Sequence, residues 1–180
     1  MDWSEVRSNV CLGVQVNFHW VDNPSEDESD HISQAVEALI AAISIPGVRL
    51  WSPQNTALVK AGFKKRIEKA ARGELEPPEE LKPLGNGRLP LYEIRWSAIH
   101  VRERPEDGSP ERFFDVEVRL IHGEPHELSL SFIGLHAHEK QYWGTDDEIK
   151  RAQDVEIDTA ASIYVEAAPR HWGVKRRTAG

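Results

Sequence analysis

The chain has 180 residues, 39% of them hydrophobic, and its 30 acidic and 22 basic side chains leave a formal charge of -8. That length and apolar content can bury a proper core and favour one domain, read as 1–180 with a core over about 14–164 and terminal extensions at 1–9 and 169–180. The acidic balance repels polyanions, so any contact with RNA must be local and salt-sensitive.

In chain order, Val10 to Val21 alternates Val10, Leu12, Val14, Val16, Phe18 and Trp20 against mostly polar residues, which predicts a strand. Asp22-Asn23-Pro24 ends it. Ser25 and Glu28 have capping-box spacing, and Ile32, Ala35, Val36, Leu39, Ile40 and Ile43 follow at helical spacing up to the stop at Pro46-Gly47. A second helix is predicted from Thr56 to about Arg72, with Val59, Phe63, Ile67 and Ala70 inward and Gly73 as its stop. Its other face carries Lys60, Lys64, Lys65, Arg66, Lys69 and Arg72 against Glu68, either as a solvated face or as a surface for RNA or a partner. Glu74 to Gly87 reads as a loop on its prolines and glycines.

Three alternating runs come next. Tyr92, Ile94 and Trp96 oppose Glu93 and Arg95; Phe114, Val116, Val118 and Leu120 oppose Asp115, Glu117 and Arg119. In Leu128 to Gln141, Ile133, Leu135 and Ala137 share one parity, while His136, His138 and Lys140 share the other. Paired in order, the runs make an antiparallel meander on which Arg95, Arg119, His136, His138 and Lys140 converge on a solvent-facing surface. Thr145 and Glu148 then open a last helix to about Ala168, including Ile149, Ala152, Ala160, Ile163 and Tyr164, closed by Pro169. The fold class is therefore α+β, strand-helix-helix-strand-strand-strand-helix, with the meander packed on the two N-terminal helices and its other face free.

Leu81-Lys82-Pro83-Leu84-Gly85 before Leu91-Tyr92-Glu93-Ile94-Arg95, then Val118-Arg119-Leu120, Leu135-His136-Ala137-His138-Glu139-Lys140, and Glu148-Ile149 through Ala152 to Tyr164, together resemble the RelE/HigB-type toxin superfamily of bacterial and phage toxin-antitoxin modules. The resemblance runs from about Val14 to Tyr164 and implies a RelE-like fold. It also implies a metal-independent endoribonuclease acting on mRNA at the ribosome and silenced by a cognate antitoxin. Carried over onto this chain, Arg95, Arg119 and Lys140 are the basic positions, Tyr142 the tyrosine past the last strand, and His136 or His138 an acid or base. Gln141 stands where members carry a second lysine, and His138 where they carry an aromatic. Lys64, Lys65, Lys69, Lys82 and Trp143 are the candidate RNA or partner contacts, with Tyr142-Trp143 able to stack a base or to cap the core.

On the polar face Arg95, Arg119 and Lys140 are matched by Glu93, Asp115 and Glu117. Such a balance suits the alternative function, the same fold without catalysis, a phage or accessory protein that binds and regulates another protein. Zinc on His136 and His138 would need a third ligand from His122 or His126, and no acid or cysteine completes the set, so no metal and no cofactor is expected. Cys11 alone allows no internal disulfide, no run approaches the roughly 20 apolar residues of a membrane span, and Met1-Asp2-Trp3 lacks a signal peptide's basic start. A cytoplasmic protein without a membrane partner is expected.

Overall fold

The computed structural model describes residues 8–84 and 88–175. Their elements are β1 (Asn17–Trp20), α1 (Glu28–Ile43), α2 (Pro53–Ala71), β2 (Leu81–Pro83), β3 (Leu91–Glu103), β4 (Arg112–Gly123), β5 (Ser131–Glu139) and α3 (Asp146–Ala167). The five strands form one mixed sheet in the order β1-β5-β4-β3-β2, with β1 parallel to β5 and the remaining pairs antiparallel. The fold is thus α+β, with three helices around that sheet. No described helix is long and apolar enough to cross a membrane.

Alternation and helical period account for both faces. The stripe Ile32, Ala35, Val36, Leu39 and Ile43 of α1 and Phe63, Ile67 and Ala70 of α2 are buried against Phe18, Ile94, Trp96, Val116, Val118, Leu120 and Phe132. The opposite face is not left open. Ala160, Tyr164 and Ala167 of α3, with Trp172 beyond it, close over Leu91, Ile121, Ile133 and Leu135 in a second core. Polar residues are therefore exposed on only part of that face, which corrects the expectation of a free sheet surface.

Several boundaries move for identifiable reasons. The long N-terminal strand shrinks to four residues because its earlier part has no strand beside it. Asn9–Cys11 is a 3-10 turn, Gly13 takes φ 67°, and the backbone there bonds the end of α2 instead, Gly13 N–H to Gly73 O and Val16 N–H to Ala71 O. Leu12 and Val14, expected to alternate inward, are exposed. The helix cap is Asp27, whose carboxylate accepts from Ser29 N–H at 2.9 Å, and not Ser25; Glu28 is drawn away to accept from Phe18 N–H at 3.0 Å. Ser52 caps α2, which begins three residues earlier than read.

Within the expected loop, Leu81–Pro83 pairs with Tyr92–Ile94 as β2. In β5 the alternation slips. Ile121 faces His136 while His122 faces Gly134, so Leu135 is the extra residue of a bulge. Ile133 and Leu135 consequently lie under α3, on the side of His136, while Ala137 packs toward α1 and α2. The C-terminal extension is docked through its described residues, with Trp172 buried and Arg170 paired to Asp22. At the N-terminal end Ser8 and Asn9 N–H both bond Glu124, so these residues belong to the folded body.

Candidate functional site

Strand register assembles the site. Arg95 and Arg119 are direct cross-strand partners on β3 and β4, Arg119 faces His138 on β5, and Lys82 on β2 faces Glu93. Where β5 ends, Lys140 N–H is held by Glu117 O at 2.9 Å, which returns its side chain to the same row. Together with Trp143, Gln141 and the first half of α3, these residues line a cavity of about 200 Å³.

Its floor is ionic. Glu93, 2% exposed, lies 3.2 Å from Arg95 Nε and 3.7 Å from Arg119 Nε and holds the two guanidinium groups side by side. Glu117 pairs with Arg119 and lies 3.6 Å from Lys140 Nζ. Arg119 also donates to the Trp96 and Val118 carbonyls at 3.3 and 3.2 Å, and Arg95 to Pro78 O at 3.1 Å. The expected match of three acids to three bases changes. Asp115 is paired with His100 at 3.0 Å, four residues along β4 from Arg119 and past the bulge between Trp96 and Ile99, while Lys82 joins the cations. Four cations thus stand against Glu93 and Glu117; of the other carboxylates at the cavity, Glu139 is held by Arg49 and Glu156 of α3 is bound to His136.

This crowding shifts the titrations. Burial lowers the Lys140 ammonium from its ordinary value, and repulsion from Arg119 and Arg95 adds to it. Burial also lowers Arg119, with Glu93 pulling the other way. His138 is pushed down chiefly by burial, so its imidazole is neutral at pH 7, and its Nδ1 reaches Glu139 O at 3.3 Å, leaving Nε2 as an acceptor. Burial raises the Tyr142 phenol, whose ring lies under the Lys140 ammonium at 4.8 Å.

Of the residues singled out from sequence, Arg95, Arg119, His138, Lys140, Lys82 and Trp143 share the cavity, with Tyr142 at its rim, 48% exposed. His136 stacks on His138 with ring centroids 5.9 Å apart but is engaged by Glu156. Lys64, Lys65 and Lys69 lie on α2, which packs on the other side of the sheet. Lys69 is paired with Glu80 at 2.7 Å and Glu76 at 3.1 Å, and Lys64 lies 3.8 Å from Glu68. His122 is no partner for the imidazole pair. It shares the parity of Val118 and Leu120, stacks on Tyr92 in the other core and bonds Glu124 at 3.1 Å. Among the described residues no group of three His, Cys, Asp or Glu side chains has metal-binding geometry.

Unforeseen from sequence were Gln153 and Glu156, which with Ile149 and Ala152 form one face of α3 over the cavity. The i, i+3, i+4, i+7 spacing makes that face readable, but its docking position is not. Comparison with known proteins finds no matching family model, curated protein or solved structure.

Proposed function

We propose that the protein is a RelE/HigB-like toxin, a metal-independent endoribonuclease acting on mRNA at the ribosome and restrained by a cognate antitoxin. The observation that carries this reading is the meeting of Lys82, Arg95, Arg119 and Lys140 in one small cavity of an otherwise acidic chain. A cluster of cations held by only two acids suits a phosphodiester, whose charge grows as the attacking oxygen adds to phosphorus. The kinship draws further support from the succession of a strand, two helices, a run of antiparallel strands and a closing helix, with the first strand parallel to the last.

A neutral imidazole and a cationic ammonium in one cavity fit the two proton-transfer roles. Neutral His138 takes the proton of the ribose 2′-hydroxyl as its oxygen bonds to the adjacent phosphorus. Arg95 and Arg119 hold the phosphoryl oxygens. The P–O5′ bond breaks to leave a 2′,3′-cyclic phosphate, and Lys140, made more acidic by burial and then by its cationic neighbours, protonates the departing 5′-oxygen. Tyr142 positions the Lys140 ammonium through its ring.

In-cell expression is the test. Wild-type protein is expected to arrest growth and to cleave ribosome-bound mRNA, with Lys140→Ala lowering cleavage about a hundredfold and relieving the arrest. Growth unaffected by the wild type and no cleavage with or without ribosomes would overturn the nuclease reading in favour of a non-catalytic protein that binds a partner through this fold.

A further inference from the structure

We propose that Arg49, which lies outside the cavity, is a positioning residue for it: its guanidinium clamps Glu139 and thereby fixes the stretch of β5 that carries His138 and Lys140. The inference rests on the nuclease reading for what those two side chains do, while the clamp itself stands on other residues. β1 pairs with β5 only from Ser131 to Gly134, so the remainder of β5, up to Glu139, has β4 on one side and no strand on the other. A bulge precedes that remainder, and its far end is tied to β4 by Lys140 N–H on Glu117 O. A strand end supported from one side opens locally at low cost. His138 and Lys140 both sit on this half-supported stretch.

Glu139 lies between them and points the other way. It shares the parity of Ala137, which packs toward α1 and α2, and on that side Arg49 takes its carboxylate, Nη1 on one oxygen and Nη2 on the other at 3.0 Å. A planar fork on a carboxylate fixes direction as well as distance. The same guanidinium donates from Nε to Glu103 at 3.0 Å, at the end of β3, and from Nη1 to Ile43 O at 2.8 Å, at the end of α1. Its backbone is bridged to Glu103, with Leu50 N–H on Arg102 O at 2.9 Å and Arg104 N–H on Val48 O at 2.7 Å, so β3 sets where the fork stands. Glu103 has a second partner in Arg112 at 2.9 Å, whereas among the described residues Glu139 pairs with Arg49 only. Arg49 is 8% exposed and Glu103 is buried with it. Ions at that depth give up hydration that an apolar set of the same volume would not, so the group is a poor device for stability and a good one for direction.

Residue-resolved hydrogen exchange on the full chain, combined with cleavage of ribosome-bound mRNA, tests the clamp. Arg49→Met keeps most of the volume and removes the fork; Glu139→Gln leaves Arg49 on Glu103 and weakens the clamp from its other end. Each is expected to speed exchange of the Lys140 amide about tenfold beyond any change in the β4 core amides. Each should also lower cleavage at saturating substrate about tenfold, with the half-saturating concentration unchanged. Because both changes act through one contact, the double variant should be no worse than the slower single one. If Arg49→Met does not fold, Glu139→Gln carries the test. An unchanged Lys140 amide, effects that multiply in the double variant, or faster exchange with full cleavage retained would each overturn the proposal and leave the nuclease reading standing. Local loosening at Lys140 in a wild-type protein that cleaves nothing would do the reverse: the clamp stands and the nuclease reading falls.

Discussion

Arg119 is 3% exposed and shares Glu93, itself 2% exposed, with Arg95. Deleting it would leave Glu93 to Arg95 alone and open a void where the guanidinium serves the Trp96 and Val118 carbonyls, so its removal tests folding as much as chemistry. Lys140, a third exposed, can be changed without that penalty, which is why it carries the functional test. A second sensitive group lies half-buried on β1 beside α1. The His19 ring lies edge-on to His31 with centroids 5.2 Å apart, and burial, then His31, pushes its pKa from 6.5 down to about 4. The folded value lies below the unfolded one, so the unfolded chain takes up the proton first. The stability held above about pH 6.5 is then lost as pH falls toward 4. Thermal melts at pH 7.5 and 4.5 should therefore show a smaller acid-induced drop in Tm for His19→Gln than for the wild type; equal drops would remove His19 from the effect.

The edge strand β1 shows how short elements are stabilised here. Its amides at Phe18 and Trp20, which point away from β5, are taken by α1: Phe18 N–H donates to Glu28 and Trp20 N–H to His31 Nδ1 at 2.9 Å. Side chains thus occupy the positions another strand would fill, which blocks edge-to-edge pairing. Glu28→Ala is expected to cost about 1 kcal/mol, read as a lower urea midpoint with an unchanged m-value. An unchanged midpoint would show that water serves that amide equally well. These contacts explain why the Ser25 capping box was misleading: its spacing is a local signal, while Glu28 is claimed by a strand ten residues back. The Thr145–Glu148 box, with no such competitor, forms as its spacing predicts. The stripe of α1 and the parity of β3 were equally legible, because burial follows directly from a sustained period.

The docking of α3 links the two halves of the molecule. Gly123 on β4 lies directly beneath Tyr164: a Cβ there would come within 2.5 Å of Tyr164 Cδ2 and 2.6 Å of Cε2. Gly123→Ala should consequently lift the helix and cost about 2 kcal/mol by overpacking. The same lift should weaken nucleotide binding in the cavity, which sits under the first turns of the same helix. Denaturant unfolding and calorimetry on one variant check both effects, and a neutral result would mean that Tyr164 has room to turn aside. From the residues alone one can read an α+β chain, its three helices, the inward and outward sides of β3 and β4, and the candidacy of Arg95, Arg119, His138 and Lys140, because alternation and capping are encoded among near neighbours. Lys82's entry through β2, Asp115's departure past a bulge, the shifted parity after Gly134 and the closure by Gln153 and Glu156 depend on strand register and helix docking. Those are set by contacts between segments far apart in the chain, and only the assembled sheet with α3 across it determines which charges share a cavity.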